Sequence, residues 1–175
     1  MGNYYEGSLR FELKDFPGKV LRLLYFLDGR GESQNTSIPE EFKDIEFLHH
    51  PNWEYATFEM YQDKELYTLY VRFCMKGYRR EFDLGQSIVD YFKPYCVIEK
   101  DNPFGYLGSV EDEDDTYFKM FYANDDAVKE EQKKRNNICN GCEWYNPSEV
   151  PLCKDYSICK RAYCLGRSGF SAEGS

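Results

Sequence analysis

Residues 67–75 read Tyr-Thr-Leu-Tyr-Val-Arg-Phe-Cys-Met, the most regular alternation in the 175-residue chain. One set of alternate positions carries Tyr67, Leu69, Val71, Phe73 and Met75, and the other carries Thr68, Tyr70, Arg72 and Cys74. Successive side chains of a strand point to opposite faces of a sheet, so this period of two predicts a β-strand with one buried face. Aromatic residues in both sets suit a position inside the sheet.

Turn and helix signals flank this strand. The turn residues Gln62-Asp63-Lys64 predict a hairpin with an earlier strand, Tyr55–Tyr61. On the other side, Asp83 is expected to cap a helix that Pro94 terminates. The apolar positions of that helix are Leu84, Ile88, Tyr91 and Phe92.

The rest of the first 125 residues supplies the remaining elements. Leu9, Phe11 and Leu13 alternate with polar residues and predict the first strand. A helix with apolar positions at helical spacing follows and ends at Gly29; these positions are Val20, Leu23, Leu24 and Leu27. We then expect a polar loop over residues 30–37, a short helix over 39–44, and a final hairpin that pairs residues 106–110 with 116–122.

The resulting order, β-α-β-β-α-β-β, predicts an α+β fold. Its first six elements match the ferredoxin-like split β-α-β, with an extra C-terminal β-hairpin. Right-handed crossovers would place the first and third strands side by side at the centre of the sheet.

Charge and cysteine content both change near Asp125. Residues 1–125 hold 14 basic and 24 acidic side chains, whereas residues 126–175 hold 8 and 7. The sequence thus predicts an acidic domain over 1–125, a helix plus a small Cys-rich metal-binding module over 126–166, and a flexible tail over 167–175. The signal Ala123-Asn124-Asp125-Asp126 is typical of a helix N-cap at this boundary.

Composition narrows the function classes. Aromatic residues make up 18% of the chain, enough to fill a core, which argues against disorder. No run of about 18 apolar residues and no leader pattern occur, so we expect a cytoplasmic protein without a membrane span. The formal net charge of −9 repels phosphate backbones and disfavours nucleic-acid binding by the acidic domain.

Three segments of the acidic domain resemble a loose group of uncharacterised bacterial and phage proteins. They are residues 7–21, which open with Gly7-Ser-Leu-Arg-Phe-Glu-Leu, then Tyr70-Val-Arg-Phe73 and Phe104-Gly-Tyr-Leu-Gly108. The similarity covers roughly residues 4–122. It implies a ferredoxin-like α+β fold and a mobile-element setting, and it implies nothing about activity or about the cysteines beyond it.

The C-terminal cysteines have spacing suited to a metal. They are Cys139, Cys142, Cys153, Cys159 and Cys164, and no histidine is near them. The Cys-x2-Cys pair lets two thiolates reach one tetrahedral ion, so four of the five are expected to bind zinc. Few large apolar residues surround them, so a metal would supply folding free energy. An iron–sulfur cluster, disulfides or free thiols remain alternatives.

Other candidate residues carry weaker signals. The acidic run Glu111, Asp112, Glu113, Asp114 and Asp115 is the predicted partner-binding surface, although a solvated hairpin tip is the plainer interpretation. His49 and His50 are adjacent in a loop, where neighbouring side chains diverge and cannot readily share one ion. Cys74 and Cys96 are expected to be packing residues.

No nucleophile–base pair, carboxylate dyad or nucleotide motif stands out, so the sequence favours a protein that is not an enzyme. The leading hypothesis is a non-catalytic protein-binding module whose acidic domain engages a basic protein surface. With the phage resemblance, this suggests an inhibitor of a host nucleic-acid-targeting defence nuclease, in the manner of anti-CRISPR proteins. Two alternatives are nucleic-acid binding through the Cys-rich module, with Trp144 and Tyr145 available to stack, and an iron–sulfur redox or sensor protein.

Overall fold

The computed structural model describes residues 3–30, 36–77, 81–113 and 118–138. In chain order the elements are β1 (Asn3–Leu13), α1 (Gly18–Gly29), β2 (Thr57–Asp63), β3 (Leu66–Gly77), α2 (Glu81–Phe92), β4 (Tyr106–Asp112), β5 (Phe118–Tyr122) and α3 (Asp125–Ile138). Four short 3₁₀ helices lie at Glu40–Phe42, Glu46–His49, Trp53–Tyr55 and Lys93–Tyr95. The chain divides into two units, Met1–Ala123 and Asn124–Ser175.

The first unit is an α+β unit built on one antiparallel sheet with the strand order β2-β3-β1-β4-β5. β1 pairs with β3 along its whole length, from Asn3 opposite Gly77 to Leu13 opposite Tyr67. Its other side pairs with β4. The prediction that the first and third strands lie side by side within the sheet is confirmed.

The hydrophobic core lies on one face of the sheet. Leu9, Phe11 and Leu13 of β1 are at most 1% exposed, as the alternation predicted. On β3 the buried residues are Leu69, Val71, Phe73 and Met75. The helices bury Val20, Leu23, Leu24 and Leu27 of α1, and Leu84, Ile88, Val89 and Phe92 of α2, in the same cluster. Both helices therefore pack on the same face of the sheet, and within the described residues the side chains of the strands β1, β2 and β3 that point to the opposite face are exposed or half-buried.

Two glycines permit the close approach of β1 and β4. Gly108 has φ +139° next to a bulge in the β4–β5 ladder, and a Cβ there would lie 1.9 Å from the Ser8 carbonyl oxygen. A Cβ on Gly7 would lie 2.3 Å from the Ser109 carbonyl oxygen. Any larger residue would have to push the two strands apart.

Arg30 joins the end of α1 to the start of β2. Its guanidinium donates hydrogen bonds to the carbonyls of Glu54 (3.1 Å) and Ala56 and lies 4.5 Å from the centre of the Trp53 ring. Arg30 is 8% exposed, and this burial lowers the pKa of its guanidinium. Two residues earlier, Asp28 Oδ1 accepts a hydrogen bond from the Met60 backbone N–H at 2.9 Å. The helix ends at Gly29 and the chain turns at Arg30, as predicted, but the Arg30 side chain is buried; residues 31–35 of the predicted loop lie outside the described residues.

Several predicted boundaries shift. β2 begins at Thr57 instead of Tyr55, because residues 53–55 turn in a 3₁₀ helix, and its hairpin turn falls at Lys64 with φ 57°. α2 begins at Glu81, so Asp83 lies inside the first turn and does not cap the helix. The predicted short helix over 39–44 is present as the 3₁₀ helix Glu40–Phe42.

The described part of the second unit is α3. Asn124 Oδ1 accepts a hydrogen bond from the Ala127 backbone N–H at 3.2 Å, which confirms the predicted N-cap signal. Asp125 and Asp126 lie in the first turn, where carboxylates interact favourably with the helix dipole. None of the helices in the described ranges has the length and apolarity needed to cross a lipid bilayer.

Candidate functional site

The sheet face opposite the core presents a regular array of polar and aromatic side chains, here called the open face. On β1 it carries Tyr4, Glu6, Ser8, Arg10 and Glu12, on β3 Thr68, Tyr70, Arg72, Cys74 and Lys76, and on β2 Thr57, Glu59 and Tyr61. All of these side chains are exposed or half-buried. The face arises from the same period of two that buries the alternate residues.

Strand register brings three chemical types together near the middle of the open face. Tyr70 on β3 lies opposite Arg10 on β1 and opposite Glu59 on β2. The next cross-strand pair is Tyr61 with Thr68. Directly opposed side chains in an antiparallel pair are close enough to interact, so aromatic rings, a cation and a carboxylate share one small area.

A shallow hollow of about 300 Å³ lies between β2 and β3 in this area, lined by Glu59, Tyr61, Thr68, Tyr70 and Arg72. The Tyr61 and Tyr70 rings meet edge to face with centroids 5.7 Å apart. Tyr61 Oη donates a hydrogen bond to Glu59 Oε2 at 3.2 Å. The hollow is thus a pre-formed pocket with two aromatic walls and a carboxylate at its rim.

Charge at the hollow is negative on the β2 side. The pKa of Tyr61 is raised, first by the hydrogen bond to Glu59 and then by the negative charge of Glu59. Arg72 acts in the opposite direction but is the smallest of the causes. At the Tyr61 hydroxyl, the carboxylate therefore outweighs the guanidinium.

Tyrosine rings on the open face already hold cations of the chain itself. The Arg10 guanidinium lies 5.9 Å from the centre of the Tyr70 ring and also pairs with Glu12. At the far end of the face, Lys76 Nζ lies 5.9 Å from the centre of the Tyr4 ring. Both distances allow a cation–π attraction.

Two carboxylates meet where β1 leaves the sheet. The pKa of Glu99 is raised by a hydrogen bond with Glu12, by the charge of Glu12 and by that of Asp101. The backbone holds this arrangement, because the Glu12 carbonyl accepts a hydrogen bond from the Val97 N–H at 2.8 Å. Like charges held this close favour a shared proton or a cation.

The predicted acidic surface is only partly exposed. Glu111 and Glu113 are exposed, whereas Asp112 is 2% exposed at the end of β4. Asp114 and Asp115 lie outside the described residues. Glu111 on β4 is opposite Glu6 on β1, so its side chain points to the same face of the sheet as Glu6 and does not belong to an isolated loop tip.

The five cysteines of the predicted metal module, Cys139, Cys142, Cys153, Cys159 and Cys164, also lie outside the described residues, as does the tail over 167–175. Within the described ranges, no three His, Cys, Asp or Glu side chains are grouped to hold a metal ion.

The histidines and the two other cysteines have local roles. His49 Nε2 forms a hydrogen bond with the Lys43 carbonyl, and His50 Nδ1 accepts one from the Asn52 N–H at 3.1 Å. Cys96 is half-buried and its thiol donates to the Phe92 carbonyl at 3.5 Å, as expected of a packing residue. Cys74 is exposed on the open face, so its predicted packing role was wrong.

No family model matches the chain, and neither a curated protein nor a solved structure is similar to it at a significant level. The open face must therefore be interpreted from its own chemistry. The sequence indicated the outward residues of β3, but not the hollow, because Glu59 and Tyr61 join it only through the β2–β3 register. The hairpin turn before β3 was the signal that could have found it, since a turn fixes which residues pair.

Proposed function

We propose that this chain is a non-catalytic protein-binding module that engages a basic surface of its partner. The observation that carries this proposal is the open face, where exposed tyrosines stand beside carboxylates on rigid strands. Tyr4 and Tyr61 are 51% and 57% exposed, and Tyr106 on β4 is 45% exposed. Tyrosine is enriched among the residues that dominate binding energy at protein interfaces, and exposed tyrosines bring the chain no core stability.

The charge of the chain supports a basic partner. A net charge of −9 gives rapid, salt-sensitive association with positively charged surfaces. The resemblance to bacterial and phage proteins leads us to propose a specific partner class, a host nuclease of a nucleic-acid-targeting defence system. The acidic domain would occupy the channel that normally holds nucleic acid, as an anti-CRISPR-like inhibitor.

The test is inhibition of target cleavage by purified RNA-guided nuclease complexes, with the full chain added in increasing amounts. We expect cleavage to fall as the chain approaches one copy per nuclease. The inhibition should weaken as salt rises from about 0.1 M to about 1 M, which shortens the screening length from about 10 Å to about 3 Å. Unchanged cleavage across a panel of such nucleases, together with no complex by light scattering at low salt, would exclude this partner class.

The strand order β2-β3-β1-β4, with α1 and α2 on one face, supports the ferredoxin-like interpretation of the acidic unit. β5 then extends the sheet through the β4–β5 hairpin. Within the described residues both helices pack on the core face, so neither of them covers the open face on which the binding proposal depends.

For the C-terminal cysteines we propose a structural zinc site formed by four of the five, supported by their spacing alone. Elemental analysis and a visible spectrum of protein purified without chelator test it. One zinc per chain in a colourless sample is expected. Iron with sulfide and an absorbance band near about 400 nm would replace zinc by an iron–sulfur cluster.

A further inference from the structure

We propose that the hollow between β2 and β3 seats one arginine side chain of the partner, stacked on Tyr61 and paired with Glu59. This inference rests on the proposed function, because it names the group that a basic partner surface would place there. The proposed ligand is a cation, although Arg72 also lines the hollow. The negative charge of Glu59 must therefore outweigh the positive charge of Arg72 where the ligand binds.

The geometry of the hollow suits a single flat side chain. Its volume of about 300 Å³ is at the lower end of the range of volumes of ligand pockets, which suits a single side chain better than a drug-sized molecule. Tyr61 is 57% exposed, and its edge-to-face contact with Tyr70 leaves part of its ring accessible to a bound side chain. A guanidinium lying on that ring could reach the Glu59 carboxylate, since Glu59 Oε2 is only 3.2 Å from Tyr61 Oη.

Charge complementarity selects a cation. Within the described residues, Glu59 forms no ion pair, so its carboxylate accepts only the Tyr61 hydroxyl. The direction of the Tyr61 pKa shows that Glu59 outweighs Arg72 at this hydroxyl. An anion would meet the exposed Glu59 carboxylate, and an apolar group would remove water from Glu59 and Arg72 without replacing their hydrogen bonds.

Two features favour arginine over lysine. The planar guanidinium stacks on an aromatic ring and donates two parallel hydrogen bonds to a carboxylate, which an ammonium group cannot do. The chain has a related contact beside the hollow, where the Arg10 guanidinium lies 5.9 Å from the centre of the Tyr70 ring and donates one hydrogen bond to Glu12. A partner arginine on Tyr61 and Glu59 would repeat it one strand away.

The experiment is an NMR titration of the ¹⁵N-labelled full chain with the peptide acetyl-Gly-Arg-Gly-amide and with its citrulline counterpart, which has the same shape without charge. We expect the arginine peptide to shift the amide signals of residues 59–61 and 68–72. The citrulline peptide should leave them in place. Glu59→Gln and Tyr61→Ala should each weaken arginine-peptide binding about tenfold, the scale of a lost ion pair or cation–π contact.

Matched controls are Glu46→Gln and Tyr25→Ala, which change an exposed carboxylate and an exposed tyrosine outside the open face. Neither should alter the titration. Equal shifts with citrulline, full binding to Glu59→Gln, or stronger shifts at Arg72 with an acidic peptide or an oligonucleotide would each overturn the proposal. Amide spectra of every variant report directly whether it is folded.

Failure of this inference is distinguishable from failure of the proposed function. If the chain inhibits a nuclease and Glu59→Gln with Tyr61→Ala inhibits equally well, the module binds its partner but does not seat an arginine here. If the peptide binds at the hollow while no nuclease is inhibited, the arginine seat stands and the partner class is wrong.

Discussion

Replacing Arg30 by methionine should destabilise the first unit more than any other single change of a charged side chain that we consider. Arg30 is the charged residue buried between α1 and β2, with its guanidinium on the carbonyls of Glu54 and Ala56 and against the Trp53 ring. Methionine fills a similar volume but donates no hydrogen bond. The substitution therefore removes the polar contacts and keeps most of the packing.

The magnitude follows from these contacts. The carbonyls of Glu54 and Ala56 would each lose a charged donor, at about 1.5 kcal/mol each, the contact with the Trp53 ring adds about 1 kcal/mol, and the long hydrogen bond to the Trp53 carbonyl (3.5 Å) adds little. Removing the buried charge returns part of this, about 1 kcal/mol, since the lowered pKa of Arg30 shows that burial disfavours its charged form. We expect the free energy of unfolding to fall by about 3 kcal/mol.

Urea denaturation followed by tryptophan fluorescence measures this loss. The chain has two tryptophans, so a Trp144→Phe background leaves Trp53, which touches Arg30, as the reporter. Arg22→Met is the matched control, because Arg22 on α1 makes an exposed ion pair with Glu41, and its replacement should cost less than about 1 kcal/mol. A loss below about 1 kcal/mol for Arg30→Met, or one equal to the control, would refute the reasoning.

Three further predictions concern other parts of the first unit. Gly108→Ala should lower the melting temperature sharply, because its Cβ would collide with the β1 backbone and its φ is positive; a melting curve within about 2 °C of wild type would contradict this. Glu99→Gln should raise the melting temperature at pH 7 by removing repulsion from Glu12. The pKa of Glu99 is raised in the folded chain, so the wild-type protein regains stability as the pH falls through that pKa. Calorimetry at pH 7 and pH 4 should therefore show that the gain in melting temperature from Glu99→Gln is smaller at pH 4. A gain that stays constant or grows would contradict this prediction. Burial raises the pKa of Cys96 to about 12, so iodoacetamide at about pH 8 should alkylate the exposed Cys74 much faster than Cys96. Equal alkylation rates of these two cysteines by peptide mapping would contradict the burial argument.

The sequence predicted the fold well where the period of the apolar residues within one segment was enough to assign the buried face. Leu9, Phe11 and Leu13 needed only the alternation to be placed on the core face, and the strand order followed from short connections and crossover handedness. Contacts between distant segments were not readable in this way. Nothing local to Arg30 says that the carbonyls of residues 54 and 56 will meet it, because that contact exists only after α1 packs on β2.

The candidate site shows the same division. Alternation indicated that Tyr70 and Arg72 face away from the core, but only the β2–β3 register places Glu59 opposite Tyr70. Asp112 illustrates the opposite error, since a run of acidic residues predicts solvated side chains whereas the parity of β4 turns one of them inward. The alternation within one segment therefore predicts which side chains of that segment are buried. Contacts between two segments cannot be predicted from the sequence of either segment alone.

The contacts of Asp28 and Arg30 with β2 have a consequence for self-association. β2 is the outermost strand on its side, and its outward backbone groups could template the strand of another molecule. Asp28 occupies the Met60 N–H and Arg30 occupies the Ala56 carbonyl just before the strand, so two of the docking points for a foreign strand are already filled. These two contacts therefore hinder the addition of a strand from another molecule at this edge of the sheet. Substitutions that remove them should promote aggregation through β2 as well as weaken the fold.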